Sequence, residues 1–312
     1  MRLAPAASLL TAALVLTACG GQDGTASASD EGRLAVAAGF YPYAFLAERV
    51  GGEAVDVTDL TESGGEPHDL ELTPQQVGAL RSTDLVVYSA GFQPAVDEAV
   101  EQQAADRALN VLSAVELRAA EEGGHAHDGE EYADEEEHAE EAGTDPHVWL
   151  DPQRLAAIGT ALADRLAEVD PDGAEGYRSR AEELTTELTA LDDELRAGLQ
   201  TCERRQIVTS HDAFGYLAGA YGLEQVAVAG LSPEDEASPQ RLAEVAAQAE
   251  ADGVTTIFFE ELVSPKVAES LAREVGATAT VLTPLEGAPG TGDYADAMRA
   301  NLATLRTALD CT

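Results

Sequence analysis

Three histidines of this chain stand in short motifs that also carry an acid. The motifs are Glu66-Pro67-His68-Asp69, Asp145-Pro146-His147-Val148-Trp149 and Ser210-His211-Asp212. Imidazole nitrogens are common ligands of zinc and other transition metals, and a neighbouring carboxylate can orient the ring. A single histidine of this kind is more often structural. Three histidines in similar settings favour one shared metal site.

The other three histidines lie in an acidic segment, residues 121–141. His125, His127 and His138 stand there among Glu, Asp, Gly and Ala, without any Lys or Arg. The segment has no apolar periodicity, so we predict a mobile loop. Two interpretations stay open. The histidines are weak, exchangeable zinc ligands, or they are incidental residues of a solvated acidic loop.

Length and charge narrow the class of protein. The 312 residues are enough for two domains, and the formal net charge is −40. So acidic a surface repels nucleic acid and anionic lipid, which excludes both as expected partners. It attracts cations, although most of the acids are expected only to keep the protein in solution.

The first residues are typical of a targeting segment. Residues 1–18 contain Arg2 and then a short apolar run, and they end in Leu16-Thr17-Ala18 before Cys19. This pattern resembles a bacterial lipoprotein signal peptide, in which Cys19 becomes the lipidated first residue. Residues 19–32 are small and polar and suit a flexible tether. A plain secretory signal is the alternative. No later segment is expected to span a membrane.

The remainder of the chain alternates strand and helix patterns, which predicts an α/β fold with parallel sheets. We predict one lobe over residues 33–170, a second over residues 201–312, and a long helix over residues 171–200 between them. The leucines of this helix recur at three- and four-residue steps as one apolar stripe: Leu184, Leu188, Leu191, Leu195 and Leu199. His68 and His211 each follow a predicted strand, where α/β folds place ligands.

Three longer motifs carry a family resemblance. GGEPHDLELTP at residues 64–74, TDPHVWLDP at 144–152 and IVTSHDAFGYLAGAYGL at 207–223 resemble the zinc- and manganese-binding solute receptors of ABC transporters, the cluster A-I metal-binding proteins. The resemblance implies two lobes joined by a rigid helix, with a metal ion in the cleft. It implies His68, His147 and His211 as ligands. The fourth, a carboxylate before the last helix, maps onto Asp293, with Asp296 as the alternative.

The same resemblance implies a function without catalysis. The protein would be a monomeric receptor on the outer face of the cytoplasmic membrane, delivering its ion to an ABC permease and its ATPase. Manganese receptors of this family tend to have Glu at the third site, where this chain has His211. Three imidazoles and one carboxylate suit zinc, whereas manganese prefers more oxygen ligands. A manganese receptor remains the alternative within the family.

Two other classes of protein are alternatives to a transport receptor. A zinc hydrolase would use the three histidines and an open water position, but the chain has no HExxH or other hydrolase motif. A surface adhesin or metal buffer would rely on the acidic loop and bind many ions weakly.

Further residues are predicted to be structural. Glu260 and Glu261 are expected to form hydrogen bonds, and Trp149 is expected to pack beneath the site. Cys202 and Cys311 are the cysteines that remain after Cys19, and an even pair outside the cell predicts a disulfide.

Overall fold

A parallel four-stranded sheet forms the first lobe. The computed structural model describes residues 32–119 and 144–312. The elements of the first lobe are β1 (Leu34–Ala38), α1 (Tyr41–Gly51), β2 (Val55–Asp59), α2 (Pro74–Ala79), β3 (Leu85–Tyr88), α3 (Pro94–Gln103) and β4 (Ala108–Asn110). The strand order is β2-β1-β3-β4. Helix α3 and strand β4 were not predicted from the sequence.

Two helices lead from the first lobe to the second. They are α4 (Pro152–Val169) and α5 (Ala174–Leu199). The predicted long helix is confirmed, and its five stripe leucines are all buried. At 1.5 Å per residue, its 26 residues span roughly 40 Å. Helix α5 packs against both α4 and α1.

The second lobe repeats the architecture of the first. Its elements are β5 (Gln206–Thr209), α6 (Gly215–Tyr221), β6 (Glu224–Ala227), α7 (Pro239–Ala251), β7 (Thr256–Phe259), α8 (Lys266–Val275), β8 (Thr278–Val281) and α9 (Tyr294–Ala308). The sheet is parallel with the order β6-β5-β7-β8. Each sheet therefore reverses its strand progression beside its first strand, the place where α/β sheets open a ligand crevice. The predicted fold class is confirmed.

The two lobes share one hydrophobic core. Buried residues of both sheets and of α4, α5 and α9 form a continuous cluster. The ring of Phe45 on α1 stacks on Tyr294 of α9, with 5.7 Å between centroids. Helix α5 also forms an ion pair with each lobe, through Arg49–Glu187 at 2.6 Å and Arg299–Glu194 at 2.7 Å. Continuous packing of this kind holds the lobes in one arrangement.

A disulfide closes the end of the second lobe. Cys202, which follows α5, is bonded to Cys311, which follows α9, and their Cα atoms are 3.8 Å apart. The 109-residue separation corresponds to a stabilisation of roughly 4–5 kcal/mol in the chain-entropy model.

Several predicted features lie outside the described residues: the signal peptide 1–18, Cys19 and most of the tether 19–32, and the whole acidic loop 121–141 with His125, His127 and His138. Among the helices that the structure describes, none combines the length and the apolar character needed to cross a membrane.

Candidate metal centre

Four side chains from both lobes converge on one point. His68, His147, His211 and Glu286 each offer a ligand atom, and these atoms lie within 4.8 Å of one another. Oε1 of Glu286 is 3.3 Å from Nε2 of His68, 3.7 Å from Nε2 of His147 and 3.5 Å from Nε2 of His211. Ligands 2.0–2.2 Å from a tetrahedral zinc ion are about 3.4 Å from each other. The three distances from Glu286 fit such an ion.

Each of the four residues follows or adjoins a regular element. His68 lies between β2 and α2, and His147 lies in the turn that leads into α4. His211 comes two residues after β5 ends, and Glu286 lies between β8 and α9. The first lobe thus supplies two imidazoles, and the second lobe supplies one imidazole and the carboxylate. The site lies at the carboxyl ends of strands, as parallel sheets favour.

Carboxylates orient two of the imidazole rings. Nδ1 of His147 is 2.9 Å from Oδ1 of Asp145, and Nδ1 of His211 is 2.6 Å from Oε1 of Glu260. The hydroxyl of Ser210 donates a hydrogen bond to the same oxygen of Glu260. Such bonds place a proton on Nδ1 and direct Nε2 to the centre of the site.

The Nε2 atoms of the two oriented rings have no hydrogen-bond partner. In the described chain, Nε2 of His147 and Nε2 of His211 are both buried and unpartnered. Buried polar atoms are almost always satisfied in folded proteins, so an exception calls for an explanation. Two such nitrogens facing one carboxylate are explained by a cation that binds between them.

The charges around the centre are unbalanced without a cation. Asp145, Glu260 and Glu286 are at most 4% exposed. Burial would lower the pKa of His211, but its hydrogen bond to Glu260 and the negative charges of Glu260 and Glu286 outweigh it and raise the pKa to about 10. Burial lowers the pKa of His147. A proton on His211 therefore offsets part of the buried negative charge, and a bound divalent cation would displace it.

Glu286 itself stays ionised in this setting. Burial acts to raise the pKa of its carboxyl group, but the neighbouring imidazoles of His211 and His68 lower it well below its usual range. An ionised carboxylate at the centre is ready to accept a cation without first losing a proton.

His68 is held less firmly than the other three groups. It lies in a stretch without helix or strand, and its side chain is 8% exposed, whereas those of His147 and His211 are fully buried. Its ring contacts Phe92 edge to face, with centroids 4.4 Å apart. Nε2 of the His68 ring forms a hydrogen bond with Glu286. Among the described residues, 32–119 and 144–312, none forms a hydrogen bond with Nδ1 of this ring.

The fourth group is Glu286 and not Asp293. Asp293 is the N-cap of α9, where Oδ1 accepts hydrogen bonds from the backbone N–H groups of Ala295 at 2.9 Å and Asp296 at 3.2 Å. The carboxylate of Asp296 accepts in return from the backbone N–H of Asp293 at 3.3 Å. Both carboxylates thus complete a capping box, which satisfies amides at the start of the helix. Neither one belongs to the cluster.

The sequence did contain a signal for Glu286. It comes soon after β8, as His211 comes soon after β5, so both lie at the carboxyl end of a strand. Glu260 also follows a strand, β7, and the structure gives it the hydrogen bond to His211. The predicted hydrogen bonding of Glu260 is confirmed. Glu261 is exposed, and Trp149 is fully buried with its ring 5.1 Å from that of His147.

The comparisons with known sequences all point to the same protein family. The family model described as zinc-uptake complex component A, periplasmic, matches residues 36–308. The high-affinity zinc uptake system protein ZnuA of Bacillus subtilis is 37% identical over 307 residues, covering 95% of this chain and 94% of that protein. The zinc-binding lipoprotein AdcA of Streptococcus pneumoniae is 32% identical, covering 96% of this chain. This chain spans 59% of the length of that AdcA.

Comparison with solved structures agrees with the sequence comparison. The laminin-binding protein Lmb of Streptococcus agalactiae, described as an adhesin with metal-transporting activity, has a TM-score of 0.77 at 29% identity. The match covers 89% of this chain and 99% of Lmb. A Zn(II)-bound mutant variant of AdcAII from Streptococcus pneumoniae has a TM-score of 0.78 at 26% identity. That match covers 89% of this chain and 99% of the AdcAII chain. The chain therefore belongs to the family of the periplasmic zinc-uptake component ZnuA.

Proposed function

We propose that this protein captures Zn(II) between its lobes and delivers it to the permease of an ABC uptake transporter. The observation that carries the proposal is the cluster of three imidazoles and one carboxylate, in which two buried Nε2 atoms have no partner. The names of the relatives support the same cargo, since ZnuA and AdcA are described as zinc-uptake and zinc-binding proteins.

Zinc fits this set of groups better than manganese does. His68, His147, His211 and Glu286 supply three nitrogens and one carboxylate, a set typical of tetrahedral zinc. Manganese favours more oxygen ligands and a higher coordination number. The four groups would also fill all positions of a tetrahedral ion, which leaves none open for the reactive water of a zinc hydrolase.

The residues around the ligands would make capture selective and reversible. Asp145 and Glu260 hold two rings with Nε2 directed to the ion, so the ion does not have to order these rings on binding. The proton on His211 competes with the ion, because the metal needs an unprotonated nitrogen. His68 would close the site from the more exposed side.

The location of the protein is part of the proposal. We infer that Cys19 is lipidated and holds the protein on the outer face of the membrane, and that the Cys202–Cys311 bond forms after export. The description of a relative as a lipoprotein supports the anchor. Mass spectrometry of the mature protein should find a diacylated first residue, and Cys19→Ser should release the protein from membranes. Retention of the Cys19→Ser protein on membranes would contradict the anchor.

The cargo is tested by competition. The metal-free protein is incubated with equal zinc and manganese, passed through a desalting column and analysed for bound metal. We expect one zinc per chain and little manganese. Two or more ions per chain with weak affinity would indicate a metal buffer, and one bound manganese would indicate the other branch of the family.

A further inference from the structure

The turn that presents Glu286 has an unusual backbone. Leu285, the residue before it, has φ +58°, in the left-handed region that residues other than glycine rarely adopt. In the described chain only Asp310 shares this property among non-glycine residues. Leu285 is 1% exposed, so its side chain is held in the core. A strained residue of this kind persists only where its surroundings hold it, and strain of this kind is concentrated at functional sites.

Helix α9 holds one end of this turn. The side chain of Asn301 accepts a hydrogen bond from the backbone N–H of Thr283 at 3.1 Å and donates one to the carbonyl oxygen of Thr283 at 2.7 Å. The hydroxyl of Thr283 accepts from the backbone N–H of Leu285 at 3.1 Å. These contacts all belong to the second lobe.

A side chain of the first lobe also holds the turn. The indole N–H of Trp149 donates a hydrogen bond of 2.7 Å to the carbonyl oxygen of Pro284, the residue before Leu285. Trp149 is two residues from His147 and its side chain is fully buried against Phe40 and Phe92. One indole therefore connects the segment of His147 to the segment of Glu286 across the lobe boundary.

We propose that Trp149 is a positioning residue for the metal site. Its indole N–H holds the strained turn at Leu285, so that Glu286 stands at its short distance from the histidines before the ion arrives. This role rests on the proposed function only in naming zinc as the ion that benefits. The positioning itself follows from the Trp149–Pro284 bond and from the left-handed conformation of Leu285.

The test replaces Trp149 by Phe, which keeps an aromatic ring in the core and removes the N–H donor. We expect zinc affinity to fall about tenfold, in the range seen when groups that orient metal ligands are removed. The matched control is Tyr294→Phe. It also removes one buried hydrogen bond between the lobes, from the Tyr294 hydroxyl to the carbonyl oxygen of Trp149 at 2.6 Å, but it leaves Pro284 untouched. We expect Tyr294→Phe to retain zinc affinity within about twofold, since that bond does not reach the turn.

Two readouts separate positioning from a general loss of structure. In a Glu286→Gln background, Trp149→Phe should have little further effect on zinc affinity, because it acts through the Glu286 carboxylate. The visible absorption of bound Co(II), a spectroscopic probe of the same site, should change in Trp149→Phe and stay unchanged in Tyr294→Phe. Equal zinc affinity in Trp149→Phe and Tyr294→Phe would overturn the proposal. So would an undiminished loss of zinc affinity when Trp149→Phe is added to Glu286→Gln.

A second variant covers the case in which Trp149→Phe does not fold. Asn301→Ala releases the other end of the same turn and should also weaken zinc binding, again only when Glu286 is present. Unchanged affinity in Asn301→Ala would overturn the proposal. These results differ from a failure of the proposed function, in which the unaltered protein itself would lack a tight zinc site.

Discussion

The two sides of the candidate metal site are built in different ways. His147, His211 and Glu286, which we call the inner trio, are at most 2% exposed. Carboxylates orient both rings of the trio, and Trp149 connects the segments of His147 and Glu286. On the opposite side, His68 stands in a stretch without helix or strand, and in the described chain no carboxylate is hydrogen-bonded to its Nδ1.

This difference shows which parts of the site the fold itself determines. Parallel sheets of the same strand order bring groups of both lobes to the carboxyl ends of their strands. Proximity alone does not fix an imidazole in one orientation. A second contact on the far nitrogen does so, and within the described residues His68 lacks that contact. We therefore expect the inner trio to supply most of the binding energy and His68 to complete the site.

Loss of an inner ligand should have the largest effect. The free energy of zinc binding in structural sites is about 10–16 kcal/mol, or roughly 3 kcal/mol for each of four ligands. His211→Ala should therefore weaken zinc binding by roughly a hundredfold or more. Competition with a chelator of known affinity measures this change, and Glu261→Gln is the control on an exposed neighbour. Tight binding retained in His211→Ala would show that the inner trio is not the zinc site.

Removal of the His68 imidazole should lower zinc affinity less than removal of the His211 imidazole. In His68→Ala a water molecule can take the open position on the more exposed side, so we expect a loss of about tenfold in affinity. The same chelator competition provides the comparison with His211→Ala. Equal losses in the two variants would contradict the division of the site into two unequal sides.

The carboxylate of Glu260, which is hydrogen-bonded to His211, should contribute as much to zinc affinity as His68 does, or less. Glu260→Gln keeps the shape of the side chain and removes its charge, and we expect zinc affinity to fall about tenfold or less. Glu261→Gln is matched in chemistry, but Glu261 is exposed and lies outside the cluster. If the two variants bind zinc equally well, the hydrogen bond to His211 does not orient the ring in the way described.

The smallest effect on zinc is expected at Asp293. Asp293→Ala should leave zinc affinity unchanged within about twofold and destabilise the protein by about 1 kcal/mol through loss of the α9 N-cap. Thermal unfolding of the metal-free protein measures the second quantity. A large loss of zinc affinity would restore Asp293 as a ligand and place Glu286 in doubt.

Much of the fold could be predicted because its signals are local. The long helix predicted over residues 171–200 is observed as Ala174–Leu199, because its repeating leucine stripe is visible in the sequence. Gly276 ends α8 in the left-handed conformation, a local helix-stop signal that a sequence also shows. Strand β4 was not predicted because its three residues are too few to show an alternation of apolar and polar side chains.

The site was only partly predictable for a physical reason. His68, His147 and His211 stand out because histidine is rare in this chain outside the acidic loop. Glu286 is one of many acids, and its placement depends on the positive φ of Leu285 and on a hydrogen bond between Trp149 and Pro284, 135 residues apart. Backbone conformation and long-range contacts of that kind leave no periodic signal. Asp293 was favoured instead because its position before the last helix is visible in the sequence.

The most direct test of the account is diffraction from crystals of the zinc-loaded protein at the zinc absorption edge. We predict one strong anomalous peak per chain, about 2.0–2.2 Å from Nε2 of His68, His147 and His211 and from a carboxylate oxygen of Glu286. A peak coordinated by Asp293 in place of Glu286, or anomalous signal spread over several acidic positions with none between the lobes, would contradict it.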